Sequence, residues 1–207
     1  MKSFTLKEIK FILSEYNIPF CPTELVNSKE GAIKIANSFN YPVVLKVFSL
    51  EGAHKTELGL VKKDIGNDNE LSSAWDEIVK AKADGIIVQK QIFGLEIIVG
   101  MKRDVQFGPV LMFGIGGVLV EIMKDVTFRI APVTKKDVLD MFKEIKGAKL
   151  LSGFRGQPPV DLEKLSVLVF SLSKLSLARK DIKEIDFNPV IADENGVWVV
   201  DPRFSLN

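Results

Sequence analysis

A series of short strand-like segments between residues 86 and 130 constrains the fold more than any other feature. Each segment is rich in β-branched and apolar residues, and turn residues such as Phe93-Gly94 and Lys102-Arg103-Asp104 separate neighbouring segments. Strands that follow one another so closely pair antiparallel, because parallel strands need long crossover connections. The sequence therefore predicts an antiparallel sheet with the strands Ile86–Ile92, Glu96–Gly100, Val110–Phe113, Val118–Glu121 and Thr127–Ile130.

Helical patterns flank this series on both sides. Thr5 and Glu8 have the spacing of a capping box, and apolar residues at helical intervals follow them. We therefore expect an α+β fold, a single domain over residues 1–207 with two α/β lobes, approximately 1–88 and 89–207. Besides the helix that begins near Thr5, helices are predicted at about 27–39, 71–81, 135–145 and 161–180, and further strands at Val43–Phe48, Ile185–Ile191 and Val197–Asp201.

Composition excludes several classes of protein. The 28 basic and 27 acidic residues nearly cancel, so a nucleic-acid partner, which needs an excess of Lys and Arg, is not expected. One cysteine and one histidine allow neither an intrachain disulfide nor a Cys/His metal cluster, which favours a reducing, cytoplasmic compartment. The N-terminus lacks an apolar signal segment, and the run 108–120 is too short to span a bilayer, so no membrane association is expected.

Lys46 is the one charged residue in the strand Val43–Phe48. A lysine among apolar neighbours must either pair with an anion or extend its ammonium group to water. Periodicity alone favours the second alternative, a lysine on an edge strand.

Asp186, Asn188 and Asp201 lie where the last two strands of the chain end. Carboxylate and amide oxygens suit Mg²⁺, which takes few protein ligands and keeps room for water and phosphate oxygens. The alternative is an ordinary hairpin whose Asx residues cap the turn.

Two further segments have both a functional and a structural interpretation. Gly114-Ile115-Gly116-Gly117 allows backbone amides to approach an anion, although a tight strand connection explains the glycines equally well. His54, the only histidine, lies in a polar loop, where most histidines have no catalytic role. A neutral imidazole is nonetheless a good nucleophile near neutral pH and can carry a phosphoryl group.

Taken together, these segments resemble the ATP-grasp family, and more narrowly the β subunit of NDP-forming acyl-CoA synthetases. The order and spacing of the motifs make the resemblance specific, and it covers nearly the whole chain. The motifs are Tyr41-Pro42-Val43-Val44-Leu45-Lys46, His54-Lys55-Thr56-Glu57, Phe107-Gly108-Pro109 through Gly116-Gly117, Asp125-Val126-Thr127-Phe128-Arg129, and Asp186-Phe187-Asn188-Pro189 with Asp201.

The resemblance implies an ATP-grasp fold with the nucleotide in a cleft between the two lobes. Lys46 would contact the nucleotide phosphates, the main chain of the hinge strand at Gln89, Lys90 and Ile92 would pair with adenine, and Glu96 would hold the ribose. Gly116, Gly117 and Arg129 would lie at the phosphates, and Asn188 and Asp201 would bind the metal. Asp186, where many relatives have Glu, would assist the metal or orient a phosphohistidine at His54.

The implied reaction converts acyl-CoA, ADP and phosphate into a carboxylic acid, ATP and CoA, with ATP/ADP and Mg²⁺ as cofactors. The chain has no Gly-x-Gly-x-x-Gly CoA-binding segment, so a separate CoA-binding α subunit is expected to supply the acyl-CoA, in an α2β2 heterotetramer. Two alternatives stay open: another ATP-grasp carboxylate ligase, which would not need His54, and a non-catalytic nucleotide-binding regulatory module. Residues 50–53 and 58–60 depart from the family pattern around His54.

Overall fold

The computed structural model describes residues 4–48, 60–81, 84–117 and 124–206. The predicted strand at Val118–Glu121 and the polar loop with His54 lie outside these residues. The chain divides into two compact units: Cys21–Ile92, and Met1–Phe20 together with Phe93–Asn207. The lobes expected from the sequence grouped residues 1–20 with residues 21–88. In the structure, the first helix instead packs its apolar residues into the core of the second unit.

The unit Cys21–Ile92 contains a four-stranded antiparallel sheet in the order β1-β4-β2-β3. Helices α2 and α3 pack on one face and bury Ala32, Ala36, Leu71 and Trp75 against alternate residues of the central strands. Ser28 and Asn67 cap these helices, as the polar residues before each apolar pattern require. The elements are β1 (Thr23–Val26), α2 (Lys29–Phe39), β2 (Val43–Phe48), β3 (Val61–Ile65), α3 (Asp68–Ile78) and β4 (Gly85–Lys90).

The other unit contains a six-stranded antiparallel sheet in the order β10-β8-β5-β6-β7, with β9 paired to β8. One face of this sheet carries the larger hydrophobic core, which includes side chains of α1, α4 and α6. The elements are α1 (Leu6–Glu15), β5 (Leu95–Asp104), β6 (Gly108–Ile115), β7 (Val126–Ile130), α4 (Lys135–Glu144), α5 (Ala148–Leu151), α6 (Leu162–Ala178), β8 (Ile182–Ala192), β9 (Val197–Val199) and β10 (Pro202–Leu206).

The α+β prediction is confirmed, and so is the capping box at Thr5 and Glu8. The expectation of one continuous sheet from residue 86 onward is wrong, because β4 pairs with β2 and β1 whereas β5 pairs with β6 and β8. Gly94, between β4 and β5, packs tightly against the main chain of Ala192. A Cβ there would lie 2.5 Å from the Ala192 oxygen.

Within the described residues, no helix combines the length and the apolar character that crossing a bilayer requires.

Candidate functional site

The strand register assigns the candidate residues of the six-stranded sheet to its two faces. Directly paired residues of an antiparallel sheet project to the same side. One row across the sheet has its central members in the core; it consists of Phe204, Ile185, Met101, Leu111 and Arg129. The adjacent row projects to the opposite side, which we call the open face; it consists of Arg203, Asp186, Gly100, Met112 and Phe128.

The carboxylates of Asp186 and Asp201 belong to this open face. Asp201 precedes Pro202, which pairs with Phe187, and Asn188 follows Phe187, so Asn188 and Asp201 are neighbours across β8 and the start of β10. The Arg203 guanidinium donates to Asp201 Oδ2 at 3.2 Å. Arg203 also pairs directly with Asp186. The structure thus brings the three predicted acidic and amide residues together.

Burial raises the pKa of the Asp186 carboxyl, and the charges of Glu184 and Asp201 raise it further, while Arg203 opposes them. Burial is the largest of these effects, because it disfavours the charged form of the carboxyl. A cation bound beside the carboxylate would favour its charged form.

These residues fit Mg²⁺ by the chemistry of their donors. Asn188 and Asp201 offer one amide and one carboxylate oxygen at adjacent positions, and Asp186 lies one row away on the same face. Among the described residues, no three His, Cys, Asp or Glu side chains form a closed metal cage. An open set of oxygen ligands is what Mg²⁺ uses when phosphate oxygens complete its coordination.

Glu96 and the two predicted glycines lie together further along the open face. The N–H of Gly116 donates to the carbonyl oxygen of Glu96 at 2.7 Å. A Cβ at Gly116 would lie 2.9 Å from the Glu96 carbonyl carbon, and one at Gly117 would lie 3.0 Å from Glu96 Oε2. Gly117 also has a φ of +71°, which favours glycine. The glycines therefore position Glu96.

Arg129 lies on the core side of the sheet, away from the other predicted phosphate residues. It belongs to the row with Ile185, Met101 and Leu111, and its guanidinium is ion-paired with Glu144 of α4. Thr127 Oγ1 donates to the same carboxylate at 2.7 Å. The prediction that Arg129 lies with Gly116 and Gly117 at the phosphates disagrees with this geometry, because alternate residues of β7 face opposite sides and Arg129 faces the core side.

Lys46 lies on β2, an interior strand of the four-stranded sheet, and is only 6% exposed. Its neighbours Leu45 and Val47 point into the core, so Lys46 projects from the other face, where it pairs with Ile87 of β4. The alternative of an edge-strand lysine that reaches water is therefore excluded. A cation kept at this depth favours a nearby anion.

The hinge residues Gln89 and Lys90, at the end of β4, and Ile92, just after it, differ in what their main chain can offer a nucleobase. Gln89 lies between β1 and β2, and its side chain donates to Thr23 Oγ1 at 2.7 Å. The Lys90 N–H donates to the Pro22 oxygen at 2.9 Å, and the Cys21 thiol donates to the Lys90 oxygen at 3.0 Å. The second lone pair of that oxygen stays usable, whereas the Lys90 N–H is already committed. Within the described residues the Ile92 N–H has no hydrogen-bond partner. Of the main-chain groups predicted to pair with adenine, the Lys90 carbonyl oxygen and the Ile92 N–H are therefore the two that stay available.

Sequence reasoning missed Gly100 and Arg203. Gly100 lies in the middle of β5 opposite Asp186, and a Cβ there would lie 3.1 Å from the Ile185 oxygen and 3.5 Å from Met112 Cε, so the chain packs closely at this point. A glycine inside a strand is the signal that could have identified it. Arg203 could have been found from its position two residues after Asp201.

The chain is similar in sequence to two proteins of known activity. The chain is 43% identical to the β subunit of acetate–CoA ligase [ADP-forming] I from Pyrococcus furiosus, over 96% of this chain and 90% of that one. It is 44% identical to acetate–CoA ligase [ADP-forming] I from Archaeoglobus fulgidus, over 94% of this chain but only 30% of that longer protein.

The fold also matches a solved enzyme, the dinucleotide-forming acetyl-coenzyme A synthetase 1 of Candidatus Korarchaeum cryptofilum. Its complex with coenzyme A, Ca-AMPCP and HgCl⁺ has a TM-score of 0.93 and 40% identity, covering 100% of this chain and 94% of that one. Another structure of that enzyme, with a TM-score of 0.88 and 39% identity over 100% and 93% of the two chains, holds coenzyme A and Mg-AMPPCP, with a phosphohistidine segment pointing towards the nucleotide site.

Residues 2–206, almost the entire chain, match the model of the ATP-grasp domain. The α+β fold and the spacing of the motifs agree with that match, and the chain belongs to the ATP-grasp family, whose members bind a nucleotide.

Proposed function

We propose that this chain is the nucleotide-binding β subunit of an ADP-forming acyl-CoA synthetase, an acid–thiol ligase. With a separate CoA-binding α subunit it interconverts acyl-CoA, ADP and phosphate with a carboxylic acid, ATP and CoA. Its own step is the transfer of a phosphoryl group between a phosphohistidine and ADP. The β subunit of P. furiosus, of which this chain covers 90%, and the phosphohistidine segment of the K. cryptofilum enzyme support this role.

The observation that carries the proposal is the order of functional groups along the open face. Glu96 and the glycines lie at one end, and Asp186 lies opposite Gly100, four residues further along β5, about 13 Å away at the rise of a strand. Asn188, with Asp201 beside it, lies between these two positions. A nucleotide lying along this face would place its ribose diol against the Glu96 carboxylate and its phosphates near the acidic group. Two carboxylate oxygens match a vicinal diol.

Each group of the chain then has a defined task. Lys46 contributes a buried positive charge to the nucleotide phosphates, and Lys90 C=O with Ile92 N–H pairs with adenine. Asn188 and Asp201 hold Mg²⁺, which neutralises charge on the phosphates when bound. Asp186 orients the phosphohistidine, and Arg203 positions Asp201. Arg129 is left out of this site because it is engaged by Glu144.

His54 is the proposed phosphate carrier. In the direction of ATP synthesis, a terminal oxygen of ADP attacks the phosphorus of phospho-His54, the N–P bond breaks, and its electron pair returns to the imidazole. Phosphoryl transfer of this kind needs positioning and charge neutralisation more than covalent help. The assembly would be α2β2 in the cytoplasm, with acetate or a related small acid bound through the partner.

The test is to incubate the purified chain with γ-labelled Mg-ATP and to look for acid-labile, base-stable label. We expect label at His54, its loss in His54→Ala, and a strong reduction in Asp201→Asn. The same variants, assayed with the α subunit, should lose ATP synthesis from acyl-CoA. Full ATP synthesis by His54→Ala would overturn the proposal and favour a carboxylate ligase that forms its acyl phosphate without a phosphoenzyme.

A further inference from the structure

Helix α6 is apolar on two sides, and the residues that the structure describes cover only one of them. Its inner side buries Leu165, Leu168 and Leu172 in the core of the six-stranded unit. On its outer side Val167 is 50% exposed and Phe170 is 39% exposed. A helix that is hydrophobic around most of its circumference is usually buried on all sides, so the outer side indicates a further contact.

Four outer residues form a regular stripe, which we call the outer stripe: Glu163, Val167, Phe170 and Lys174. Successive members are four, three and four residues apart. Alternating steps of three and four place side chains in one line along a helix, as in the a and d positions of a coiled coil. The two ends of the stripe are charged and exposed, and its centre is apolar.

The outer stripe is complementary to itself when it is reversed. Because its spacing reads the same in both directions, a two-fold axis between residues 168 and 169 places Glu163 opposite Lys174 of a second copy. The same axis places Val167 opposite Phe170. Unlike charges then meet at both ends and apolar side chains meet in the centre, which is the a-against-d pairing of antiparallel helices.

In the isolated chain, Lys174 lies over the Phe170 ring, with its ammonium nitrogen 4.6 Å from the ring centroid. This cation–π contact partly covers the apolar centre of the outer stripe. Pairing would move the Lys174 ammonium group from the Phe170 ring to the Glu163 carboxylate of the second copy. The free energy gained on association is therefore reduced by the loss of the cation–π contact.

We propose that α6 pairs antiparallel with α6 of a second copy of this chain through the outer stripe. The helix spans about 26 Å at 1.5 Å per residue, so a single helix pair gives an interface at the small end of specific contacts. The dimer of the chain alone is therefore weak and depends on concentration. In a complex with two β subunits this contact joins the two β subunits to each other. The inference does not depend on the proposed reaction.

Sedimentation or light scattering over a range of concentrations tests this with the purified chain. We expect a monomer–dimer equilibrium with a Kd on the order of micromolar to tens of micromolar. Glu163→Lys and Lys174→Glu, made singly, should each weaken the dimer roughly tenfold, because each creates two like-charge pairs across the axis. The double variant should return within about twofold of the wild type.

Matched controls come from α2, where Glu30 lies in the first turn as Glu163 does in α6, and Lys34 is an exposed helical lysine. Glu30→Lys and Lys34→Glu make the same charge changes and should leave the dimer unaffected. A wild-type chain that stays monomeric at several hundred micromolar would overturn the proposal. So would single reversals that behave like the controls, or a double variant that fails to restore pairing.

Discussion

Arg129 and Glu144 form an ion pair on the helix-covered side of the six-stranded sheet, and Thr127 donates to the same carboxylate. This pair joins the edge strand β7 to α4. It also raises the pKa of Arg129, chiefly through the hydrogen bond to Glu144. The relationship gives Arg129 a structural task on the side of the sheet opposite Asp186.

Replacing Arg129 with Gln should therefore lower stability and leave nucleotide binding unchanged. We expect the melting temperature to fall by a few degrees, as for loss of a partly exposed ion pair. Glu144→Gln is the matched variant and should have a similar effect. Calorimetric titration with Mg-ATP measures whether nucleotide affinity is unchanged. A large loss of affinity in Arg129→Gln, but not in Glu144→Gln, would show that Arg129 belongs to the phosphate site.

The glycine at position 117 can be tested against another glycine with the same backbone requirement. Gly117 and Gly108 have φ values of +71° and +75°, but a Cβ at Gly108 would meet nothing within 4 Å, whereas one at Gly117 would meet Glu96 Oε2. Both alanine variants should lose about 1 kcal/mol of stability from backbone strain. Only Gly117→Ala should also weaken ATP binding, by roughly tenfold, measured by titration. Equal affinities for the two variants would contradict the assignment of Glu96.

Lys46 should be needed for nucleotide affinity. Lys46→Met keeps the apolar length of the side chain and removes the charge, so we expect Mg-ADP to bind at least about tenfold more weakly, with the fold retained. Lys63, an exposed lysine on the neighbouring strand β3, provides the control Lys63→Met. Fluorescence or calorimetric titration compares the two, and the prediction fails if both bind like the wild type.

The raised pKa of Asp186 predicts how stability depends on pH. A carboxyl whose pKa is higher in the folded than in the unfolded protein favours folding when protonated, and this contribution is lost as pH rises through the folded pKa. Without Mg²⁺, Asp186→Asn should therefore be more stable than the wild type at pH 7, and the difference should shrink towards pH 4. Thermal melts at both pH values measure it. If the stability difference between Asp186→Asn and the wild type were the same at both pH values, ionisation of the Asp186 carboxyl would be excluded as its cause.

Cys21 should be unreactive in the native protein. Burial raises its pKa to about 12, although Lys46 and Lys90 oppose the shift, so the thiol is protonated at pH 8 and its hydrogen points at the Lys90 oxygen. A chromogenic disulfide reagent should label the chain slowly when folded and rapidly in denaturant. Because the sequence has one cysteine, the reaction should reach one thiol per chain. Rapid labelling of the native protein would show that this part of the hinge opens readily.

The sequence predicted most helices and strands well, but it predicted poorly which face of a sheet each strand residue lies on. In Thr127-Phe128-Arg129-Ile130 the apolar residues alternate with polar ones, which suggests that Phe128 and Ile130 face the core. They are instead 55% and 49% exposed, and Thr127 is buried. An edge strand with a core on one side only can invert the expected pattern when an ion pair such as Arg129–Glu144 satisfies the polar side.

Lys46 was identified because a charged residue interrupts an otherwise apolar strand, which is a local signal. The division of the strands into two sheets has no such signal, because β4 pairs with β1 and β2 whereas β5 pairs with β8, which is far away in the sequence. Gly94, between β4 and β5, packs against the main chain of Ala192, almost a hundred residues away. The strands β1, β3 and β10 were missed as well. β3, with Lys62-Lys63-Asp64 at its centre, has the charged composition by which edge strands avoid unwanted pairing.

Strand β8 carries two kinds of residue in alternation: Ile185 and Phe187 support the core, and Asp186 and Asn188 belong to the open face. The two sets are only one peptide unit apart, yet the thickness of the sheet separates their environments. Substitutions at the outward positions of this strand can therefore alter the proposed metal site while the core side chains of the same strand keep their packing.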